Sequence, residues 1–386
     1  MNRKIVFNRP YYSSEVIRAI RQAFRNSKVC GDGEFTKRCS AWMEEHLRIN
    51  RVLLTPSGTA ALELGALLLG IKPGDEVIMP SFTFTSTANS ILLWGAKPVF
   101  VEIEDQSLNL DLSDLGRRLT DRAKTILPVH YGGCSCDMDA LMKLARENGL
   151  TVLEDAAQAI FAGYRGRSLG GIGDLGAFSF HETKNFSCGE GGALLINRPD
   201  YIERAEIIRE KGTDRSRYFR GQVDKYTWQD IGSSYLLSDL LAAYLYVQLQ
   251  QHDRILAKRR SIYEFYQNQL APLAERGYFR LPIIPSYNSP NHHVFYLILP
   301  DQEDRNRLMD YLKSNGILAI FHYIPLHLSR MGRQLGYHPG DFPVSESISA
   351  RLLRLPLYSD LRKKDLLYIV SKIKRFYHQK QDRIQP

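Results

Sequence analysis

Short apolar segments alternate with amphipathic ones through the first two-thirds of this chain, and that alternation restricts the fold more than any other feature. Strands are expected at residues 52–54, 76–79, 98–101, 125–129, 151–153, 176–181 and 193–196. Helices are expected at 57–69, 87–94, 138–148, 201–211 and 237–250. Apolar strands separated by helices need crossover connections, so the sheet should be mostly parallel and covered by helices on both faces. Ligands in such folds bind at the carboxyl ends of the strands. Asp155 and the turn at Ser57 both fall at such ends.

The pattern changes after about residue 250. A long charged helix is expected at 253–270, then a strand at 294–299, a helix at 305–314 and a strand at 317–321. Helical segments at 345–353 and 364–377 follow, with a frayed tail at 379–386. This predicts two domains within the 386 residues: a large α/β domain over 1–250 and a smaller α+β domain over 251–386.

Composition narrows the class. With 44% hydrophobic and 24% charged residues, the chain reads as an ordinary soluble protein. No apolar run approaches the length of a membrane span. Residues 1–12 lack the apolar stretch of a signal peptide, so a cytoplasmic location is expected. Five cysteines (Cys30, Cys39, Cys134, Cys136 and Cys188) are too sparse for a disulfide framework and lack zinc-site spacing, so thiols and no metal are expected. The net charge of +9 fits a solvated basic face, and it also suits an acidic small-molecule substrate such as a nucleotide diphosphate. No helix-turn-helix, zinc-finger or RNA-recognition signature argues for nucleic acid.

The chemistry concentrates around Lys184. It lies in the run Ser179, Phe180, His181, Glu182, Thr183, Lys184, Asn185, shortly before Gly189, Gly191 and Gly192. Upstream, the strand at 151–153 ends in Glu154, Asp155, Ala156, Ala157 and Gln158. A strand-end carboxylate with a lysine on a later strand–loop is the pairing that pyridoxal 5′-phosphate requires. The lysine links to the cofactor aldehyde, and the carboxylate keeps the pyridine nitrogen protonated. Alone, either residue reads as well as a surface lysine or a helix-capping aspartate; together they favour the cofactor. Ser57, Gly58 and Thr59 lie between a strand and a helix, where outward N–H groups can donate to a phosphate, although the segment alone also fits a plain N-cap. Phe84 follows the next strand and can either stack on a cofactor ring or join the core. Ser179 adds a hydroxyl for the phosphate, and Gln158 can reach a ring hydroxyl. His322 and His327 are five apart and fit substrate contact or a structural role. Gly171, Gly173 and Gly176 match a dinucleotide fingerprint literally, but the segment after them reads as a strand and not as the helix such a motif must open.

These motifs together resemble the DegT/StrS family of sugar aminotransferases, within the fold-type-I pyridoxal phosphate-dependent transferases. The resemblance spans nearly the whole chain. It runs from the Ser57 turn and the stretch Pro80 to Phe84 through Pro128 to Gly132 and Glu154 to Gln158, to the Lys184 loop and Pro325 to His327. It implies that Lys184 is the cofactor-linking lysine and Asp155 the pyridinium partner. It also implies that Gln158 contacts the ring oxygen, that Phe84 stacks on the ring, and that Ser57, Gly58, Thr59 and Ser179 surround the phosphate. Many members carry an asparagine that reaches the cofactor phosphate from the partner subunit; Ser234 stands in that place here. A branch that dehydrates its substrate has histidine at the lysine position, so Lys184 implies amino transfer. Three further stretches, Cys30 to Gly33, Phe180 to Asn185 and Asp224 to Tyr235, resemble the subgroup making dTDP-4-amino-4,6-dideoxygalactose for enterobacterial common antigen. The implied substrates are L-glutamate and a dTDP-linked 4-ketosugar, and the implied assembly is a homodimer with shared sites. Arg220, Lys225 and Tyr226 are candidates for the nucleotide side. A different ketosugar, the opposite C4 stereochemistry, and a non-catalytic regulatory protein that binds the same cofactor stand as alternatives.

Overall fold

The computed structural model describes residues 4–381. Twelve strands occur among them: β1 (Arg51–Thr55), β2 (Glu76–Pro80), β3 (Lys97–Val101), β4 (Ala123–Ile126), β5 (Thr151–Asp155), β6 (Gly163–Tyr164), β7 (Arg167–Ser168), β8 (Leu175–Ser179), β9 (Gly192–Ile196), β10 (Asn288–Ser289), β11 (Phe295–Ile298) and β12 (Leu352–Leu355). Seven form one sheet in the order β1-β9-β8-β5-β4-β2-β3. Only β9 runs against the others, pairing antiparallel with both β1 and β8.

Both faces of this sheet are buried, which explains its nearly unbroken apolar strands. Val52, Leu54, Ile78 and Val152 point into one core. Their neighbours Leu53, Val77, Met79 and Leu153 point into a second core on the opposite face. The helix Gly58–Leu68 lies close on the second face, where a Cβ at Gly65 would stand 3.0 Å from Leu153 Cδ1.

Helices Glu15–Arg25 and Glu34–Leu47, which the strand–helix alternation does not reveal, pack on the helix Asp239–Gln250. The Glu34–Leu47 helix has no local cap. Asp239, 203 residues away, accepts from Thr36 N and Thr36 Oγ1 at 2.7 and 2.8 Å. Gly33 leaves room for that carboxylate, since a Cβ there would fall 2.2 Å from Asp239 Cγ.

Beyond residue 250 a third core gathers Tyr266, Phe295, Leu308, Ile317, Leu353 and Ile369. It lies among helices His252–Glu275, Gln302–Ser314 and Lys363–Gln381 and the β11–β12 pair. Two expectations need correction. Residues 317–321 form no strand, because their hydrogen bonds divide between two partners. Leu318 N donates to Ile5, Ile320 N donates to Arg354, and no continuous ladder forms. The helix expected at 345–353 ends at Arg351, and Leu352 begins β12. Leu352 and Leu353 enter different cores, which is a strand's alternation. Most of the tail expected at 379–386 lies outside the described residues; the last helix runs to Gln381. The segment after Gly171 and Gly173 is strand β8. No helix among the described residues is long and apolar enough to cross a membrane.

Candidate active site

The carboxyl ends of β1, β2, β5 and β8 open on one cavity of about 580 Å³. Ser57, Gly58, Thr59, Phe84, Asp155, Gln158, Ser179 and Lys184 all line it. Gly192 explains how the turn at Ser57 and the strand end at Ser179 meet. It pairs with Thr55 on one side and Ser179 on the other. A Cβ at Gly192 would lie 2.3 Å from the Ser57 carbonyl, so only glycine lets the two strand ends converge.

Ser57 caps the following helix, its Oγ accepting from Ala60 N at 3.0 Å. The hydroxyl is thus an N-cap, and the helix N-terminus opens on the cavity. Gly58 permits the approach of Ser179, whose Cβ would stand 2.8 Å from any Cβ at position 58. Thr59 Oγ1 lies 2.7 Å from Ser86 Oγ.

Asp155 is buried, and both carboxylate oxygens are engaged. Thr87 Oγ1 donates to Oδ2 at 2.7 Å, and Ala157 N donates to Oδ1 at 3.2 Å. The neighbouring Glu154 faces the other way and is a structural anchor. It accepts from the backbone of Gly170, Ile172 and Gly173 at 2.6–2.8 Å and lies 2.7 Å from His130 Nε2. Burial acts to raise the Glu154 pKa, but the His130 contact and these N–H groups outweigh it and hold the carboxyl below its ordinary value.

Lys184 sits on a loop fixed from several sides. Its own N–H donates to His181 O at 2.9 Å, Asn185 Oδ1 lies 2.8 Å from His293 Nδ1, and Asn8 Nδ2 donates to Glu182 O at 3.1 Å. The Lys184 amine makes no hydrogen bond or ion pair among the described residues. Desolvation pulls its pKa down to about 8; Asp155 opposes the shift and Arg354 adds to it. An amine tuned this way becomes a free nucleophile more than two pH units below an ordinary lysine.

Phe84 is 57% exposed, with its ring 6.2 Å from that of Tyr323. It therefore lies on the cavity wall and outside the core. Gln158 Oε1 accepts from Gly132 N at 2.9 Å, and Nε2 donates to Tyr323 OH at 3.0 Å. That leaves one amide hydrogen free. The two histidines divide. His327 is fully buried between Ser81 Oγ (2.6 Å) and Glu346 Oε1 (3.0 Å), a structural role. His322 lines the cavity with Nδ1 3.1 Å from Tyr131 OH. Burial and then the Arg354 charge hold its pKa far below normal, so it is neutral.

The remaining predicted residues lie elsewhere in the chain. Ser234 lines a second cavity of about 360 Å³ with Lys28, Cys30, Lys211 and Arg215. Arg220 is tied to Glu206 at 2.7 Å, and Tyr226 packs against Tyr218; neither they nor Lys225 reach the Lys184 cavity of their own chain. Conversely, Phe7, Asn8, His293, Tyr323 and Arg354 line that cavity without a sequence signal, because tertiary packing alone carries them there.

The DegT/DnrJ/EryC1/StrS aminotransferase family model matches residues 10–374. Among similar proteins is the "Pleiotropic regulatory protein" of Geobacillus stearothermophilus, 33% identical over 94% of each chain. The GDP-perosamine synthase of Vibrio cholerae is 31% identical over 91% of this chain and 93% of its own. The structure of S. venezuelae DesV, in complex with a ketimine intermediate, superposes with a TM-score of 0.86 at 31% identity over 94% of both chains. The fold is that of fold-type-I aminotransferases, as the sequence implied. On the family match and these whole-length relatives, the chain belongs to the DegT/DnrJ/EryC1/StrS aminotransferase family.

Proposed function

We propose that this protein is a pyridoxal 5′-phosphate-dependent nucleotide-sugar aminotransferase. It moves the amino group of L-glutamate to C4 of dTDP-4-dehydro-6-deoxy-D-glucose, giving dTDP-4-amino-4,6-dideoxy-D-galactose and 2-oxoglutarate. One observation carries the reading: Lys184, with an unpartnered amine at a pKa of about 8, shares one cavity with Asp155, Phe84 and the helix N-terminus at Ser57. That set fits the cofactor part by part.

When bound, pyridoxal phosphate supplies an aldehyde for the lysine and a conjugated ring that accepts an electron pair. The protein's own groups do the rest. The N–H groups of Gly58 and Thr59 and the Ser179 hydroxyl hold the phosphate, aided by the helix dipole. Phe84, exposed on the cavity wall, would cover one ring face. Asp155 keeps a proton on the pyridine nitrogen, and Thr87 holds the carboxylate in place. The remaining amide hydrogen of Gln158 would be available to the ring hydroxyl. Lys184 Nζ takes a proton from the donor Cα and, in the second half of the reaction, returns one to sugar C4. A homodimer, with Ser234 reaching the cofactor phosphate from the partner, and a cytoplasmic location complete the proposal. The choice of sugar rests on the stretches at Cys30, Phe180 and Asp224.

The visible spectrum of the cofactor-loaded protein tests this. A long-wavelength band lost on addition of L-glutamate supports amino transfer, and NMR of the product from dTDP-4-dehydro-6-deoxy-D-glucose then reads the C4 configuration. A relative named as a regulatory protein favours a second reading, cofactor binding without turnover. A band that no amino donor alters would establish that reading instead.

A further inference from the structure

Asn291 is 1% exposed and lines no part of the Lys184 cavity, yet it holds both chain segments that carry cofactor residues. Its Nδ2 donates to the Gln158 carbonyl at 2.8 Å and to the Ile160 carbonyl at 2.9 Å. Its own carbonyl accepts from Nδ2 of Asn185, the residue after Lys184, at 3.0 Å. The surroundings are otherwise unfavourable for an amide. Asn291 Oδ1 is buried with no hydrogen-bond partner, and such an acceptor is costly to bury. Gly133, at φ +83°, makes room for it, since a Cβ there would collide with Oδ1. The next residue, His292, takes φ +52°, a left-handed conformation that a histidine rarely adopts. Backbone strain beside an unsatisfied buried group marks a position kept for more than packing.

The segment is fastened from a third side. Arg259, buried on the helix His252–Glu275, donates from Nε to the His292 carbonyl at 3.1 Å and from Nη2 to the His293 carbonyl at 2.7 Å. His293 Nδ1 lies 2.8 Å from Asn185 Oδ1, which closes a ring of hydrogen bonds through Asn185, Asn291 and His293. A shift of the Gln158 loop against the Lys184 loop would change the spacing of amide and amine, and both must meet one rigid cofactor. We propose that Asn291 is a positioning residue that fixes the Gln158 backbone against the Lys184 loop and so sets that spacing. The inference rests on the pyridoxal phosphate reading of the cavity.

Spectral titration tests it, with Asn288 as the control. Asn288 is also buried, and its side chain bonds only to Ser135. In the protein loaded with pyridoxal phosphate, Asn291→Leu should move the pH midpoint of the long-wavelength band by about one unit, in the same direction as Gln158→Leu. Adding Asn291→Leu to Gln158→Leu should move it little further, because the two act through one residue. In cofactor-free protein, Asn291→Leu should slow the capture of pyridoxal phosphate about tenfold. Asn288→Ala should lower the melting temperature and leave both the midpoint and the capture rate unchanged. If Asn291→Leu yields no soluble protein, Asn291→Ala is read in the same way. Wild-type midpoint and capture rate in the Asn291 variants, or equal shifts in Asn288→Ala, overturn the inference alone. So does a fully additive shift in the double variant. A wild-type protein that forms no band with pyridoxal phosphate removes the cofactor reading itself.

Discussion

The Thr87 hydroxyl donates to Asp155 Oδ2 at 2.7 Å and is itself 2.8 Å from the Thr83 hydroxyl, so the carboxylate expected to hold the pyridinium is oriented by a short hydroxyl chain from the segment that follows β2. A hydrogen bond to a charged group contributes about 1.5–3 kcal/mol. Thr87→Val keeps the shape and removes the donor. Activity should fall about tenfold or more, and the cofactor absorbance band should titrate at a shifted pH. An unaltered spectral titration would show that Thr87 only packs.

Lys184 gives a pH prediction with a definite sign. Its lowered pKa means that the neutral amine dominates above about pH 8, where an ordinary lysine is still protonated. The rate at which cofactor-free protein captures pyridoxal phosphate should rise with pH and level off just above pH 8. A rate still climbing at pH 10 would contradict the environment described for this amine. Lys184→Ala should lose at least about a hundred- to ten-thousand-fold in turnover.

Glu154 should matter for stability. It is buried, accepts three backbone hydrogen bonds and contacts His130. Removing one member of such a buried polar pair costs about 3–5 kcal/mol, so Glu154→Ala should lower the denaturation midpoint sharply. The pH dependence follows from its lowered native pKa. The stabilisation is fully present above the ordinary value of 4.5 and is lost as pH falls through the native value. Urea midpoints measured down this range should converge for wild type and Glu154→Gln.

Phe84 separates binding from folding. Being 57% exposed, it buries little core area, and Phe84→Ala should leave thermal stability nearly unchanged. Ring stacking contributes about 0.5–1.5 kcal/mol, so cofactor affinity should fall roughly two- to tenfold. Equilibrium dialysis with pyridoxal phosphate would measure it. A large loss of stability with intact affinity would instead make Phe84 a packing residue.

The parallel sheet was legible because each of its long strands carries an unbroken apolar run with a turn at its end. The cluster around Lys184 was legible because Ser57, Asp155, Gln158 and Ser179 stand next to those strand ends in sequence. The other wall of the cavity was not. Arg354 stands just past a segment that reads locally as a helix, and only the pairing of β12 with β11 makes residues 352–355 a strand on the cavity wall. Phe7 and Asn8 carry no motif. The Glu34–Leu47 helix takes its cap from Asp239, which no local pattern in the sequence could reveal.

The Asn8 side chain holds the carbonyl of Glu182, 174 residues along the chain, while Arg354 closes the same cavity from near the other end. This sets an order for maturation. During synthesis the lysine and its aspartate emerge and their sheet can form, yet one wall of the cavity is missing until residue 354 has been made. An incomplete chain would present a reactive amine to solvent with no wall to exclude water from it. Productive cofactor uptake thus belongs to the finished chain, and a ribosome-stalled fragment ending before β12 should bind pyridoxal phosphate weakly and exchange it freely.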